Sequence, residues 1–186
     1  AKEYIKLREE GPPSVSSMSV PLNLVNMAAA NIAIKYKAKG ACIAISNACA
    51  TGTDCIGQAF REIRAGRSEV VIAGGAESCI ESVYLASFLN LGTLSVSTDP
   101  NRASIPFDAQ RDGFVMGEGA GVLILEELEH ARKRGAYIYA EVTGYGSTCD
   151  AYSLVALDPT AEQGTRAFKM AIEEAQIEAK DISYIN

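Results

Sequence analysis

The sequence has one histidine and no tryptophan among its 186 residues, and its five cysteines form no Cys-x-x-Cys pair. Zinc sites draw on clusters of cysteine and histidine at short, regular spacings, which this chain lacks. Because five is an odd number, the cysteines also give no complete disulfide framework. We therefore expect neither a zinc site nor a disulfide scaffold, and we expect the reducing environment of the cytoplasm.

Long apolar runs are absent as well. No stretch reaches the roughly 18 to 20 apolar residues that a membrane-spanning helix needs, and no segment has the pattern of a signal peptide. Acidic residues outnumber basic residues by 23 to 17, which gives a net charge of −6 at pH 7. Nucleic-acid-binding surfaces are basic, so we expect neither a membrane nor a nucleic acid among the partners of this chain.

Apolar residues are plentiful, at 48% of the chain, and they follow alternating strand and helix patterns. These patterns predict the α/β class, with enough apolar surface for a core. A strand at 41–46, a helix and a second strand at 69–73 predict a right-handed parallel crossover that ends at Gly74 and Gly75. The polar stretch 92–112 predicts a long ordered loop, which is uncommon unless it is functional. The other predicted elements are helices at 1–10, 21–36, 80–90, 126–134 and 161–175, two strand pieces within 113–125, a strand at 137–145 and the start of a strand at 181–185.

Cys49 lies where the predicted first strand meets the following helix, within Asn-Ala-Cys-Ala-Thr-Gly at 47–52. Its small neighbours allow a sharp turn and let a substrate approach the sulfur. The helix that follows has apolar residues at helical spacing and a stop at Gly66. A thiol at the start of a helix feels the positive end of the helix dipole and unpaired N–H groups, which favours the nucleophilic thiolate. The pattern indicates a cysteine nucleophile on an elbow.

Cys49 also has a simpler interpretation. Free cysteine is among the residues most often buried as a small hydrophobe, and the four other cysteines fit that role. The local pattern leaves both interpretations open. The one histidine, His130, lies in a charged helical segment where we expect a surface or structural role, so these residues alone assemble no cysteine–histidine pair.

Two further groups of residues are candidate functional sites: the glycines of 117–121 and the charged residues of the long loop. The glycines of 117–121 superficially resemble a phosphate-binding loop, but they lack the G-x-G-x-x-G order and a helix directly after it. We interpret these glycines as allowing tight turns and close packing. For Asp108, Arg111 and Asp112 we expect an ion-paired anchor of the long loop rather than direct catalysis.

Eight motifs follow one another along the chain: Val-Asn-Met at 25–27, Asn-Ala-Cys-Ala-Thr-Gly at 47–52, Ala-Gly-Gly-Ala-Glu at 73–77, Pro-Phe-Asp at 106–108, Arg-Asp-Gly-Phe-Val-Met-Gly-Glu-Gly-Ala-Gly at 111–121, Glu-Glu-Leu-Glu-His-Ala at 126–131, Asp-Ala-Tyr at 150–152 and Tyr-Ile-Asn at 184–186. In this order they resemble the β-ketoacyl-acyl carrier protein synthases, most closely the type II elongating condensing enzymes. The resemblance covers essentially the whole chain, which matches a central segment of the family's sequences.

This resemblance implies a thiolase-like αβαβα layered fold of the α/β class, present here only as a partial segment. Residues 1–160 would form the latter part of the N-terminal half, with the nucleophile elbow, and residues 161–186 the beginning of the C-terminal half. Cys49 matches the acyl-accepting catalytic cysteine. Phe88 matches a position that lines the acyl pocket, with a buried core aromatic as an equal alternative. A homodimer is also implied, with residues near the strand before Cys49 at its interface.

The family's reaction joins two thioesters. An acyl group passes from acyl carrier protein to the cysteine, and a carbanion formed by decarboxylation of malonyl carrier protein then takes it. The resemblance implies no metal and no organic cofactor, because phosphopantetheine arrives on the carrier protein. Asn186 matches the first residue of the family's Asn-Ala-His-Gly-Thr motif, so the catalytic histidines would follow it. We expect these 186 residues alone not to complete condensation.

Two alternatives stay open. A thiolase shares the fold and a cysteine nucleophile but uses CoA thioesters, and the stretch 113–121 favours the synthase over it. A non-catalytic subunit or fragment would contribute only a dimer surface, but such decoys usually lack the nucleophile. Asp54 and Ser153 stand where family members often carry histidine, which affects the shape of the pocket rather than the reaction class.

Overall fold

The computed structural model describes residues 2–186. These form two compact units: the described residues up to Ala73 together with Leu123–Asn186, and Gly74–Val122. We call them the first and the second unit. The α-helices are α1 (Lys2–Glu10), α2 (Met27–Tyr36), α3 (Thr51–Arg64), α4 (Ser82–Asn90), α5 (Leu128–Lys133) and α6 (Glu162–Ala175), the strands are β1 (Val70–Glu77) and β2 (Gly119–Glu126), and 3-10 helices lie at Pro12–Ser14, Pro21–Asn23, Ala48–Ala50 and Ala179–Asp181.

The core of the first unit forms on the apolar face of α3. Ala59 of this helix is 3% exposed, and it clusters with Ala73 of β1 and Leu125 of β2. The helix ends at Arg64, and Gly66 follows it with a φ of +69°, so the predicted helix and its stop are confirmed. Partly buried residues around this cluster are Ile56, Phe60, Ile63 and Val71.

β1 and β2 are hydrogen-bonded neighbours in a two-stranded sheet. The N–H of Glu127 donates to the carbonyl oxygen of Glu69 at 2.8 Å, whereas Gly74 lies against Gly121, so the strands run antiparallel. The predicted strand at 69–73 is confirmed. The strand was predicted to end at Gly74, and this is wrong, because β1 continues to Glu77. Glycine fits at position 74 because the backbone of β2 packs where a Cβ atom would lie.

All five helices predicted outside the elbow region are present, but the one predicted at 21–36 is shorter. Pro21–Asn23 is a separate 3-10 turn, after which Leu24 has an extended backbone with ψ of 133°. An extended residue cannot continue a helix, so α2 begins only at Met27.

The strands predicted at 41–46, 137–145 and 181–185 are wrong. None of these segments is a strand in the part of the chain that the structure describes, and Ile43 is 71% exposed. A strand needs a neighbour to pair its N–H and C=O groups, and the sheet of residues 2–186 consists of β1 and β2 alone. The predicted parallel crossover is therefore wrong too, since its first strand has not formed.

The second unit holds α4 and the long loop. A single parallel bridge joins Leu94 to Phe114, with the N–H of Phe114 donating to the Thr93 carbonyl and the N–H of Ser95 donating to the Phe114 carbonyl, each at 3.0 Å. The loop at 92–112 is therefore tied at both ends, as predicted for an ordered loop. Of the two strand pieces predicted within 113–125, only β2 is a strand, and the first is reduced to this bridge.

The described helices are short. The two longest, α3 and α6, have 14 residues each, and no helix within residues 2–186 combines the length and apolarity needed to cross a bilayer.

The predicted division of the chain at residue 160 remains a prediction.

Candidate active site

Cys49 lies in the 3-10 turn Ala48–Ala50, which leads directly into α3. The residue is exposed. Ala48, just before it, has a φ of +45°, in the left-handed region that residues other than glycine rarely adopt. Such backbone strain persists only where surrounding contacts enforce it, and it is typical of functional turns. The structure therefore places Cys49 on a sharp turn at the start of a helix, as the sequence predicted, although no strand precedes it.

Hydrogen bonds of Asn47 close this turn. The N–H of Asn47 donates to Thr51 Oγ1 at 2.8 Å, and the N–H of Ala50 donates to the Asn47 carbonyl at 3.1 Å. Thr51 is the first residue of α3. The backbone on both sides of Cys49 is thus tied to the helix that follows.

Asp54, in the first turn of α3, holds the side chain of Asn47. The Asn47 amide donates to Asp54 Oδ2 at 2.5 Å, and the Tyr145 hydroxyl donates to Oδ1 at 2.5 Å. Ser147 Oγ lies 3.5 Å from the same Oδ1. The bonds from Tyr145 and then from Asn47 hold the pKa of the Asp54 carboxyl below its usual value, so the carboxylate is the form that this geometry stabilises.

Tyr145 is the one aromatic side chain among the buried apolar residues that the structure describes, with 7% of its surface exposed. Its ring lies on α3 directly over Gly57, where a Cβ atom would collide with it. The Arg61 guanidinium lies 4.9 Å from the ring centroid, which is cation–π distance. Burial and the bond to Asp54 raise the pKa of the Tyr145 phenol, so its hydroxyl stays a donor at neutral pH.

The backbone around Tyr145 is fixed from the other side by α6. The N–H of Tyr145 donates to Glu174 Oε2 at 2.9 Å, and the other oxygen of Glu174 accepts from Arg64 of α3 at 2.9 Å. Gly144 lies against the carbonyl oxygen of Ala171, where no side chain would fit. The last two residues of the segment predicted as a strand, Gly144 and Tyr145, thus pack between α3 and α6.

Phe88, the predicted acyl-pocket residue, is half-buried on α4. Its ring meets that of Phe114 edge to face, with centroids 5.5 Å apart. Phe88 belongs to the second unit and Cys49 to the first.

The predicted loop anchor exists with a different set of partners. Asp108 pairs with Arg102 at 3.2 Å, whereas Arg111 donates to the backbone carbonyl of Asp108 at 2.9 Å. Asp112 accepts from Ser95 Oγ at 2.7 Å, and this bond, together with one from the loop backbone, lowers the pKa of the Asp112 carboxyl. These contacts hold the loop, as expected, and Arg102 is a cation of the anchor that the sequence did not indicate.

His130 has a structural position in α5. Its ring Nδ1 lies 2.5 Å from Glu126 Oε1, and its backbone N–H donates to Glu127 Oε2 at 2.6 Å. Arg134 binds both oxygens of Glu126, and it is the main reason why the pKa of the Glu126 carboxyl falls to about 2. His130 thus helps to join β2 to α5.

The Asp54–Tyr145 contact is the part of the site that the sequence did not reveal. Positions 54, 57 and 61 share one face of a helix, which was a usable signal for a surface on which something packs. The sequence around residue 145 does not indicate that this residue packs on that face of α3. Within residues 2–186, no cluster of three or more histidine, cysteine, aspartate or glutamate side chains could hold a metal ion.

Comparison with known sequences places these features in a family. The profile described as "Beta-ketoacyl synthase, N-terminal domain" matches residues 1–131, and "Beta-ketoacyl synthase, C-terminal domain" matches residues 139–186. The 3-oxoacyl-[acyl-carrier-protein] synthase 2 of Rhizobium meliloti (strain 1021) is 47% identical over 182 residues, which is 97% of this chain and 43% of that protein. The protein of the same name from Staphylococcus aureus is 45% identical over 181 residues, which is 97% of this chain and 45% of that protein. The chain thus spans less than half the length of these relatives.

Solved structures agree with the sequence matches. One is a chain of AntDE:AntF (apo), described as a type II PKS acyl-carrier protein in complex with its ketosynthase bound to the hexaketide. Its TM-score is 0.91 at 38% identity, over 95% of this chain and 44% of that chain. A β-ketoacyl synthase from Burkholderia phymatum STM815 gives a TM-score of 0.89 at 37% identity, over 98% of this chain and 45% of that chain.

These matches confirm the predicted fold class, a partial segment of a thiolase-like α/β fold. They also confirm the family that the ordered motifs indicated. The chain belongs to the β-ketoacyl synthase family.

Proposed function

We propose that this chain carries the acyl-accepting part of a β-ketoacyl-acyl carrier protein synthase, with Cys49 as its nucleophile. The observation that carries the proposal is the exposed Cys49 on a strained turn at the start of α3, in a chain of this family. A thiolate at a helix N-terminus is favoured by the helix dipole and by N–H groups without helical acceptors.

In the first step, the Cys49 sulfur attacks the carbonyl carbon of an acyl thioester on the carrier protein. A carbon–sulfur bond forms, and the carbonyl oxygen takes the negative charge. Cys49 lies in the first turn of its helical segment, so its own N–H is available to that oxygen. The intermediate then collapses, the bond to the pantetheine sulfur breaks, and this sulfur leaves as a thiolate that takes up the equivalent of the proton the Cys49 thiol released on ionising.

In the second step, malonyl carrier protein supplies the new carbon–carbon bond. Its carboxylate leaves as CO2, and the electron pair of the broken bond attacks the acyl carbon, which releases the Cys49 sulfur. His130 of α5 is engaged with Glu126 of β2, and our proposal assigns decarboxylation to histidines outside these 186 residues. This segment alone would accept an acyl group but would not complete condensation.

The remaining expectations form part of the same proposal. Phe88 would line the acyl pocket, since it is a half-buried aromatic side chain on α4. Acyl carrier protein is the proposed partner, because carrier protein appears in the names of the relatives and in one of the similar structures. We further propose a cytoplasmic homodimer that needs no metal and no cofactor beyond the phosphopantetheine of the carrier.

The test is acyl loading. The protein carrying this chain is incubated with acyl carrier protein bearing an acyl group, in parallel with the matching acyl-CoA, and its peptides are then mapped by mass. We expect the acyl mass on the Cys49 peptide, faster from the carrier protein than from CoA, and none in Cys49→Ala. Faster loading from CoA would favour a thiolase, and no acyl mass on Cys49 from either donor would refute the proposed function.

A further inference from the structure

Three side chains brace the turn that carries Cys49. Asn47, Asp54 and Tyr145, which we call the elbow clamp, are joined because the Asp54 carboxylate uses one oxygen for each neighbour. Asp54 is ionised in this geometry and both of its partners are donors, so these are charge-assisted hydrogen bonds, which are about twice as strong as neutral ones.

The brace acts next to the strained residue. Ala48 holds a φ of +45°, and it directly follows Asn47, whose side chain Asp54 holds. A backbone conformation of this kind costs roughly 1 to 3 kcal/mol and persists only where neighbouring contacts impose it. The bonds of Asn47 to Asp54 and to Thr51 are the contacts that fix the backbone before the nucleophile.

The far end of the clamp is anchored in packed structure. Tyr145 is 7% exposed, its ring rests over Gly57, and its N–H is held by Glu174 of α6. Asp54 therefore connects the turn to a side chain whose own position is fixed by two helices. A surface carboxylate without such a partner would be free to move and could not restrain the turn.

We propose that Asp54 is a positioning residue: through Asn47 and Tyr145 it holds the backbone of Cys49 so that its N–H faces the thioester oxygen. This inference rests on the proposed function. The proposed role of Asp54 involves no contact of its own with the substrate or with the sulfur. Its role is to keep the oxyanion donor in place, because such donors stabilise charge only when they are preorganised.

The experiment compares two reactions of the same sulfur. Acyl transfer develops charge on an oxygen and needs the positioned N–H, whereas alkylation by iodoacetamide is a direct displacement at carbon and does not. In Asp54→Ala we expect the kcat of acyl transfer onto Cys49 to fall about tenfold to a hundredfold, the size of effect that small misplacements produce, with KM little changed. The alkylation rate of Cys49 should change by less than about threefold, since no oxyanion forms.

Companion variants sharpen the comparison. Asp54→Asn keeps one acceptor oxygen and should recover part of the lost kcat. Tyr145→Phe should give a smaller loss, and combining it with Asp54→Ala should add little, because both changes break one network. Glu62→Ala on the same helix removes a partly exposed carboxylate whose side-chain partner is Arg67, and it should leave both reactions unchanged.

Hydrogen exchange of the peptide 45–52 provides a readout that does not depend on activity. Asp54→Ala should speed exchange there, whereas Glu62→Ala should not. Acyl transfer in Asp54→Ala equal to that of the Glu62→Ala control would overturn the inference, as would a parallel loss of transfer and alkylation. If the unaltered protein loads no acyl group, the proposed function fails. In that case unchanged exchange in Asp54→Ala overturns the clamp as well, and faster exchange supports its geometry.

Discussion

The Tyr145 hydroxyl donates a 2.5 Å hydrogen bond to Asp54 Oδ1, across 91 positions of the chain. This contact joins the first turn of α3, the helix that follows the candidate nucleophile, to a residue held between α3 and α6. The turn at Cys49 is therefore supported by tertiary structure and not by local sequence alone.

The first prediction concerns the packing of the Tyr145 ring over Gly57. A Cβ atom at position 57 would collide with that ring, so Gly57→Ala should lower the free energy of unfolding by about 1 to 3 kcal/mol through overpacking. Chemical denaturation measures this change. Gly164→Ala in α6 is the matched control, because nothing lies within 4 Å of its Cβ position. Alanine there should stabilise by up to about 1 kcal/mol through helix propensity, and equal effects of the two variants would contradict the packing described.

The second prediction concerns pH. Arg134 and His130 hold the pKa of Glu126 at about 2 in the folded chain, below its ordinary value of 4.5. A depressed folded pKa contributes stability above the unfolded value, and this stability is lost as the pH falls through the folded one. The difference in unfolding free energy between the unaltered protein and Glu126→Gln should therefore be constant above about pH 5 and shrink as the pH falls from 4.5 to 2.

Denaturation curves across this pH range check the Glu126 prediction. Glu129→Gln serves as the control, because the side chain of Glu129 is 72% exposed and its pair with Arg132 is a surface pair. This control should show little dependence on pH. A difference for Glu126→Gln that grows with acidification would show that the sign is wrong.

The third prediction follows from the proposed role of Phe88. Phe88→Ala removes a half-buried ring, so longer acyl chains should gain relative to shorter ones in loading onto Cys49, by about tenfold for one or two extra methylenes. Competition between acyl donors of different length, read by mass on the Cys49 peptide, measures the ratio. Phe168→Ala on the exposed side of α6 is the control and should leave it unchanged. An unchanged ratio in Phe88→Ala would make Phe88 a core aromatic only.

Local pattern was sufficient to predict that the helices and the turn exist, although it began the helix at 21–36 too early. The apolar spacing of α3 and the stop at Gly66 predicted the helix, and the small residues around Cys49 predicted the elbow. These features depend on contacts a few residues apart, which a single sequence displays.

Local sequence could not decide whether the segments 41–46 and 137–145 form strands. An apolar or alternating segment forms a strand only where a neighbouring strand pairs with it, and the residues of the segment do not identify that partner. The Asp54–Tyr145 bond is invisible for the same reason: each residue alone looks like an ordinary polar or aromatic residue, and only the fold brings them together.

Selective alkylation shows whether Cys49 is the activated nucleophile that we propose. Cys42, Cys49 and Cys149 are all exposed, whereas Cys55 and Cys79 are half-buried, so exposure alone does not single out Cys49. Burial, with two neighbouring carboxylates, also raises the pKa of Cys79, which makes that thiol a slow internal reference.

The protein is treated with substoichiometric iodoacetamide near neutral pH, and its peptides are mapped to find the label. We expect most of the label on Cys49, well above Cys42 and Cys149, although all three cysteines are exposed. Label spread evenly over the exposed cysteines would show that Cys49 is not an activated nucleophile.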